Sequence, residues 1–202
     1  PAPPWTRLQW ACLLLTGAVF MLWTGQYVAY MTWLPLYLVE VQGLSVEAAL
    51  SGYLIPVLLV GVFNITTGLL LQRGARVQRL LLGAVVVQST IWWLLPVTGG
   101  GLGGLASLVV YGITAGIAPT CLFALSAHLV ASPAETARAF GVTMTGRNLG
   151  VLGGPLLLAL AIESAGGWQA GMLLFAGLTS LALCLSAVLF FLVPRVEAQL
   201  PG

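Results

Sequence analysis

Long apolar runs, broken at short polar intervals, fill almost the whole chain. A membrane-crossing helix needs roughly 20 apolar residues. Six runs meet that length, over about 9–39, 47–71, 79–97, 103–131, 134–162 and 168–193. Each break has a physical cause. Gln42-Gly43-Leu44-Ser45 parts the first two runs, with Ser45 expected as an N-cap and Glu47 in the first turn, where a carboxylate meets the positive end of the helix dipole. Gly99-Gly100-Gly101-Leu102-Gly103-Gly104 is a flexible, uncharged turn between the third and fourth. Ser132-Pro133-Ala134-Glu135 has the form of a capping box with proline at the first helical position. Gly166-Gly167 separates the last two runs, and Pro194 is expected to end the sixth. The pattern predicts an all-α polytopic membrane protein, with 1–202 forming a single six-helix transmembrane domain.

Composition explains what the six runs are dissolved in. Hydrophobic residues make up 59% of the chain and charged residues 6%, against about 25% charged in a soluble domain. Mean hydropathy is +1.04. So little charge cannot keep a surface wet, so the expected solvent is a lipid bilayer. The net charge of +2 is small and sits in loops, and nucleic acid is not an expected partner. Cys12, Cys121 and Cys184 lie inside apolar runs without metal-ligand or CxxC spacing, so no metal, disulfide or cofactor is expected. The segment Pro1-Ala2-Pro3-Pro4 reads as the end of a linker, with no signal-peptide n-region or cleavage site. The chain is therefore expected to be a piece of something longer.

The few charges are unevenly placed. Arg7, the Arg73/Arg76/Arg79 loop, Arg138 and Arg195 fall on one side, and Glu40, Glu47 and Glu163 on the other, which has no basic residue. The positive-inside rule then puts both termini in the cytoplasm, and a bacterial cytoplasmic (inner) membrane is the expected location. Polar depth also differs between helices. The first, second, fourth and fifth hold Gln26, Tyr27, Tyr30, Asn64, Thr66, Thr67, Thr114, Arg147 and Asn148; the third holds Gln88, Ser89 and Thr90 in an otherwise apolar run, and the sixth Thr179, Ser180 and Ser186. Buried polar groups must face protein or a water-filled cavity. Helices 1, 2, 4 and 5 are thus expected to line something, with 3 and 6 outside. Ser45-Val46-Glu47-Ala48-Ala49 and Pro133-Ala134-Glu135-Thr136-Ala137 open helices 2 and 5 in similar fashion from opposite sides. That echo is the mark of a 3+3 inverted repeat, a common plan of secondary transporters.

One loop carries a recognisable motif, Gly68-Leu69-Leu70-Leu71-Gln72-Arg73-Gly74-Ala75-Arg76. It resembles the signature of the major facilitator superfamily that follows the second helix of a half: a glycine, a leucine, an acidic residue, then arginines flanking a glycine. Gly68, Leu70, Arg73, Gly74 and Arg76 match, slightly compressed, and Gln72 stands where the acid belongs, a departure from the pattern. Gly146, Gly150, Gly154 and Pro155 are similar to the family's glycine-spaced motif in a fifth helix, and Leu34-Pro35-Leu36-Tyr37-Leu38 is similar to the start of a family half. The resemblance covers nearly the whole chain. It implies one six-helix half of a twelve-helix transporter, more like the C-terminal half, because the fourth helix lacks an arginine and the arginine loop is degenerate. It also implies that Gly68, Arg73, Gly74 and Arg76 belong to a cytoplasmic gate.

Several residues are singled out as carriers of function. Arg147, about thirteen residues into the fifth helix, lies well inside the hydrocarbon by helix rise, where a charge is costly. One reading makes it an anion-attracting group of a central cavity; the other makes it a snorkelling or helix-tying residue. In the second case its expected partner is the Ala115 carbonyl, freed by Pro119, with Asn148 and Thr114 in the same network. His128, the only histidine, suits proton coupling or is simply solvated. Gln26 and Tyr30 share a helix face, and with Asn64 they either line a substrate pathway or bond between helices. Gly146, Gly150 and Gly154 are expected to serve close packing or a bend, and Trp92, Trp93 and Trp168 to be interfacial anchors. The leading expectation is secondary transport of a small solute, an anion or zwitterion, by alternating access against a missing half or a second copy. A substrate-capturing subunit of a larger uptake complex and a non-transporting structural domain are the alternatives. No HExxH, embedded carboxylate pair or Gly-x-Ser-x-Gly occurs, so an enzyme is not expected.

Overall fold

A computed structural model of the chain describes residues 5–98, 101–165 and 167–200. The Pro1-to-Pro4 stretch and Gly99, Gly100 and Gly166 of the expected breaks lie outside them. The described residues form six helices, each long and apolar enough to cross a membrane. They are α1 (Arg7–Glu40), α2 (Val46–Gln72), α3 (Val77–Thr98), α4 (Gly101–His128), α5 (Pro133–Ala165) and α6 (Trp168–Glu197).

Local chemistry sets the ends. Thr6 and Gln9 close a reciprocal capping box at the start of α1, and Ser45 accepts the Ala48 N–H at the start of α2. The box before α5 closes with a one-residue shift: the Glu135 N–H donates to Ser132 Oγ, while the carboxylate accepts from that hydroxyl and from the Ala131 N–H. This cap takes up the segment after His128, so α4 stops there and does not reach 131. Pro194, expected to end α6, lies inside it. A proline removes only one donor, and the last turn still closes, with the Ala198 N–H on the Pro194 carbonyl at 3.1 Å.

The helices pack in three layers. α3 and α6 lie side by side, α1 and α4 occupy the middle, and α2 and α5 form the opposite side, against α4 and α1 respectively. Exchanging α1 with α4, α2 with α5 and α3 with α6 carries the α1–α5 contact onto α4–α2, and α3–α4 onto α6–α1. The fold is thus a 3+3 inverted repeat. Glycines build both equivalent seams. A Cβ on Gly154 would stand 2.7 Å from the Gly25 Cα, and one on Gly150 2.9 Å from the Gly25 nitrogen. Across the repeat, a Cβ on Gly112 of α4 would stand 2.7 Å from the Pro56 Cα of α2. Backbones so close leave room for no side chain and gain dispersion contact that lipid cannot supply.

The ends are tied as well. Gln9 Nε2 donates to the Leu129 carbonyl at the arginine-bearing end, and Trp168 Nε1 donates to Glu40 Oε2 at the glutamate-bearing end. The faces of α2 and α5 turned away from the bundle remain uncovered and apolar, with Leu58 66%, Ile65 69% and Leu152 76% exposed.

Candidate functional site

A relay of buried polar side chains crosses the middle of the bundle. Trp23 Nε1 donates to Gln88 Oε1 at 2.9 Å, Gln88 Nε2 donates to Gln26 Oε1 at 2.9 Å, and Gln26 Nε2 donates to the Tyr111 hydroxyl at 2.8 Å. The relay ties α1, α3 and α4. Both glutamines are fully buried. Beside it Tyr30 meets Trp92 and Tyr111 edge-on, with ring centroids 4.8 and 4.7 Å apart. Gln26 and Tyr30, expected either to line a pathway or to bond between helices, face the interior of the bundle. The physical reason is that a buried amide needs full hydrogen bonding, and Gln88 completes it from a helix expected to lie outside. Trp92 is likewise in this core and not at an interface, whereas Trp93 is exposed and bonds Ser180. The run Gln88-Ser89-Thr90 signalled polarity in α3, but nothing in the sequence paired Gln88 with Trp23 and Gln26.

The open side of the bundle carries a different set. Arg147 stands on the flank of α5, roughly 21 Å along the helix from its start by helix rise. It is half-buried, and its Nη1 donates to Asn148 Oδ1 at 3.3 Å. Among the described residues no carboxylate pairs with it. The expected bond to the Ala115 carbonyl is not made, because α5 packs chiefly on α1 and touches α4 little. Thr114 is also outside any such network: it is buried and donates to the Val110 and Tyr111 carbonyls of its own helix. Asn64, half-buried on α2, accepts from the Thr120 hydroxyl at 2.9 Å and so ties α2 to α4. Arg147 and Asn148 thus remain as polar groups of the uncovered side.

The arginine loop has a defined backbone. The Ala75 N–H donates to the Leu70 carbonyl and the Gly74 N–H to Leu71, a Schellman closure of α2 with Gly74 at φ +88°. Only glycine takes that conformation without strain. Gly68 has no close neighbour where a Cβ would go. Arg73 and Arg76 are exposed, and Arg76 shares a cavity with His128 and Glu197 from the ends of α4 and α6. His128 Nδ1 lies 2.7 Å from the Ala124 carbonyl of its own helix. At the same end Arg138 lies over the Trp5 ring, 4.8 Å from its centroid.

Six membrane-length helices in two inverted triplets, with one uncovered side, define a polytopic six-helix membrane fold. The sequence profile described as Major Facilitator Superfamily matches residues 2–153, and the chain belongs to that family. Among solved structures, it is similar to "a Major Facilitator Superfamily (MFS) transporter, FucP, in the outward conformation". The TM-score is 0.71 at 15% sequence identity, over 91% of this chain and 42% of that one. The chain therefore spans under half the length of that transporter. No curated protein matches the sequence.

Proposed function

We propose that the chain is one half of a secondary transporter that moves a small anionic or zwitterionic solute by alternating access. The observation that carries this reading is Arg147, a guanidinium at mid-helix depth on the uncovered side, with one neutral partner and no counter-ion among the described residues. An unpaired charge there is costly, and a solute carboxylate or phosphate offsets that cost while its bond to a forked donor fixes its orientation. The uncovered apolar faces of α2 and α5 support a second six-helix unit opposite, supplied by further chain or by a second copy, with the solute between the two. Asn148 and Asn64 flank the same side. The Gly68–Arg76 loop belongs to a gate at the arginine-bearing end, and the positive-inside rule supports a cytoplasmic position for that end and for both termini. A bacterial inner membrane suits such a protein.

The test is uptake by the complete transporter in liposomes, across panels of anionic, zwitterionic and cationic solutes. Loss of a hydrogen bond to a charged group predicts that Arg147→Ala lowers anion uptake about 10- to 100-fold, with Arg147→Lys intermediate. Uptake by Arg147→Ala at the unsubstituted rate would sink the assignment.

A further inference from the structure

A second polar site stands apart from Arg147, at the arginine-bearing end. There a cavity of about 310 Å³ opens between the α2–α3 loop and the ends of α4 and α6, lined by Arg76, Val77, Gln78, His128 and Glu197. Gln78 is the informative residue. It is 6% exposed and lines the cavity, yet its side-chain amide has no hydrogen-bond partner among the described residues. The residue is held in place by burial while its amide atoms stay open to the cavity, where water or a ligand meets them. Val77 and Gln78 are also the first two residues of α3, and their backbone N–H groups make no bond among the described residues, because the first turn of a helix has no turn before it to accept them. Free N–H groups and the positive end of the helix dipole both favour an anion. Arg76 adds a guanidinium without an ion pair. The neutral His128 ring spends its one N–H on the Ala124 carbonyl and lines the cavity without adding a donor.

We propose that this cavity binds a phosphate-type oxyanion, carried by an anionic phospholipid headgroup at the membrane surface or free in solution. Donors arrive from a helix start, an amide and a guanidinium, a spread that suits the several oxygens of a tetrahedral group better than a planar carboxylate. Glu197 faces the same space and opposes an anion by like charge. This site does not depend on what the transporter carries.

The experiment is native mass spectrometry of the purified chain with phosphatidylglycerol, using phosphatidylcholine as the comparison lipid, together with phosphorus NMR titration of inorganic phosphate. Arg76→Gln and Gln78→Leu are each expected to weaken binding about tenfold, and Glu197→Gln to tighten it about threefold, while Arg7→Gln leaves it unchanged. If Gln78→Leu does not fold, Gln78→Glu keeps the size and is expected to abolish binding. Phosphatidylglycerol bound without inorganic phosphate assigns the site to a lipid headgroup; both bound assigns it to free oxyanions as well. Neither probe binding, or equal losses in Arg7→Gln and Arg76→Gln, which would mean diffuse surface charge, would overturn the proposal.

Discussion

Gln26 and Arg147 are both polar residues deep in apolar helices, and the structure gives them opposite surroundings. Gln26 has partners on both sides, Gln88 and Tyr111, and Arg147 has one weak neighbour. A sequence shows that each is embedded but not which way it points, because direction depends on the rotation of one helix against its neighbours. The share of the site legible in advance followed that limit. Arg147 and Asn148 were found as embedded polar residues, and the Ala115 partner was not, because it assumed that adjacent helices pack most closely. The relay predicts a stability effect. Gln26→Leu leaves Gln88 and Tyr111 each short of a bond and should cost about 1–3 kcal/mol. Membrane hydrogen bonds average nearer the low end of that range. Unfolding in mixed detergent measures it, and a double-mutant cycle with Gln88→Leu should show coupling, since the two side chains share a bond.

Among the elements, helix existence was written plainly in hydropathy and caps, because each run must satisfy its own backbone inside lipid. Packing was written only in the glycines. The spacing of Gly146, Gly150 and Gly154 marked a face for close approach, but not that its partner is α1, nor that Gly112 builds the equivalent seam between α4 and α2. The seam gives a sharp contrast within one turn. Gly154→Ala puts a methyl 2.7 Å from the Gly25 Cα and should separate α1 from α5, whereas Gly153→Ala meets nothing within 4 Å. Overpacking of this kind costs about 1–3 kcal/mol, and alanine at the free site gains roughly 0.5–1 kcal/mol of helix propensity. The melting temperatures of the two variants should therefore move in opposite directions. At the α2 end, Gly74→Ala forces a side chain into φ +88° and should cost about 1–2 kcal/mol. Faster proteolysis in the arginine loop would report the loosening.

As a whole molecule, the bundle leaves one side uncovered, and that side mixes apolar and polar groups. Leu58, Ile65 and Leu152 sit easily in hydrocarbon, and Arg147 with Asn148 does not. A second six-helix unit solves both at once, so the mass of the purified chain, corrected for bound detergent, should be that of a dimer unless further chain supplies the partner. In a dimer, Leu152→Arg should return the mass to that of a monomer by burying an unpaired charge at the interface. The α1–α5 seam also has a consequence in time. Gly17 and Gly146 meet across roughly 130 intervening positions, which at about 5–20 residues per second means on the order of ten seconds of synthesis. Through that interval the first helix has left the ribosome while its main neighbour does not yet exist: α3 and α4 bring Gln88 and Tyr111 to Gln26 earlier, but the bare Gly17–Gly25 stripe stays unmatched among lipids until α5 is made. The helix that ends as the centre of the bundle begins as its most vulnerable part.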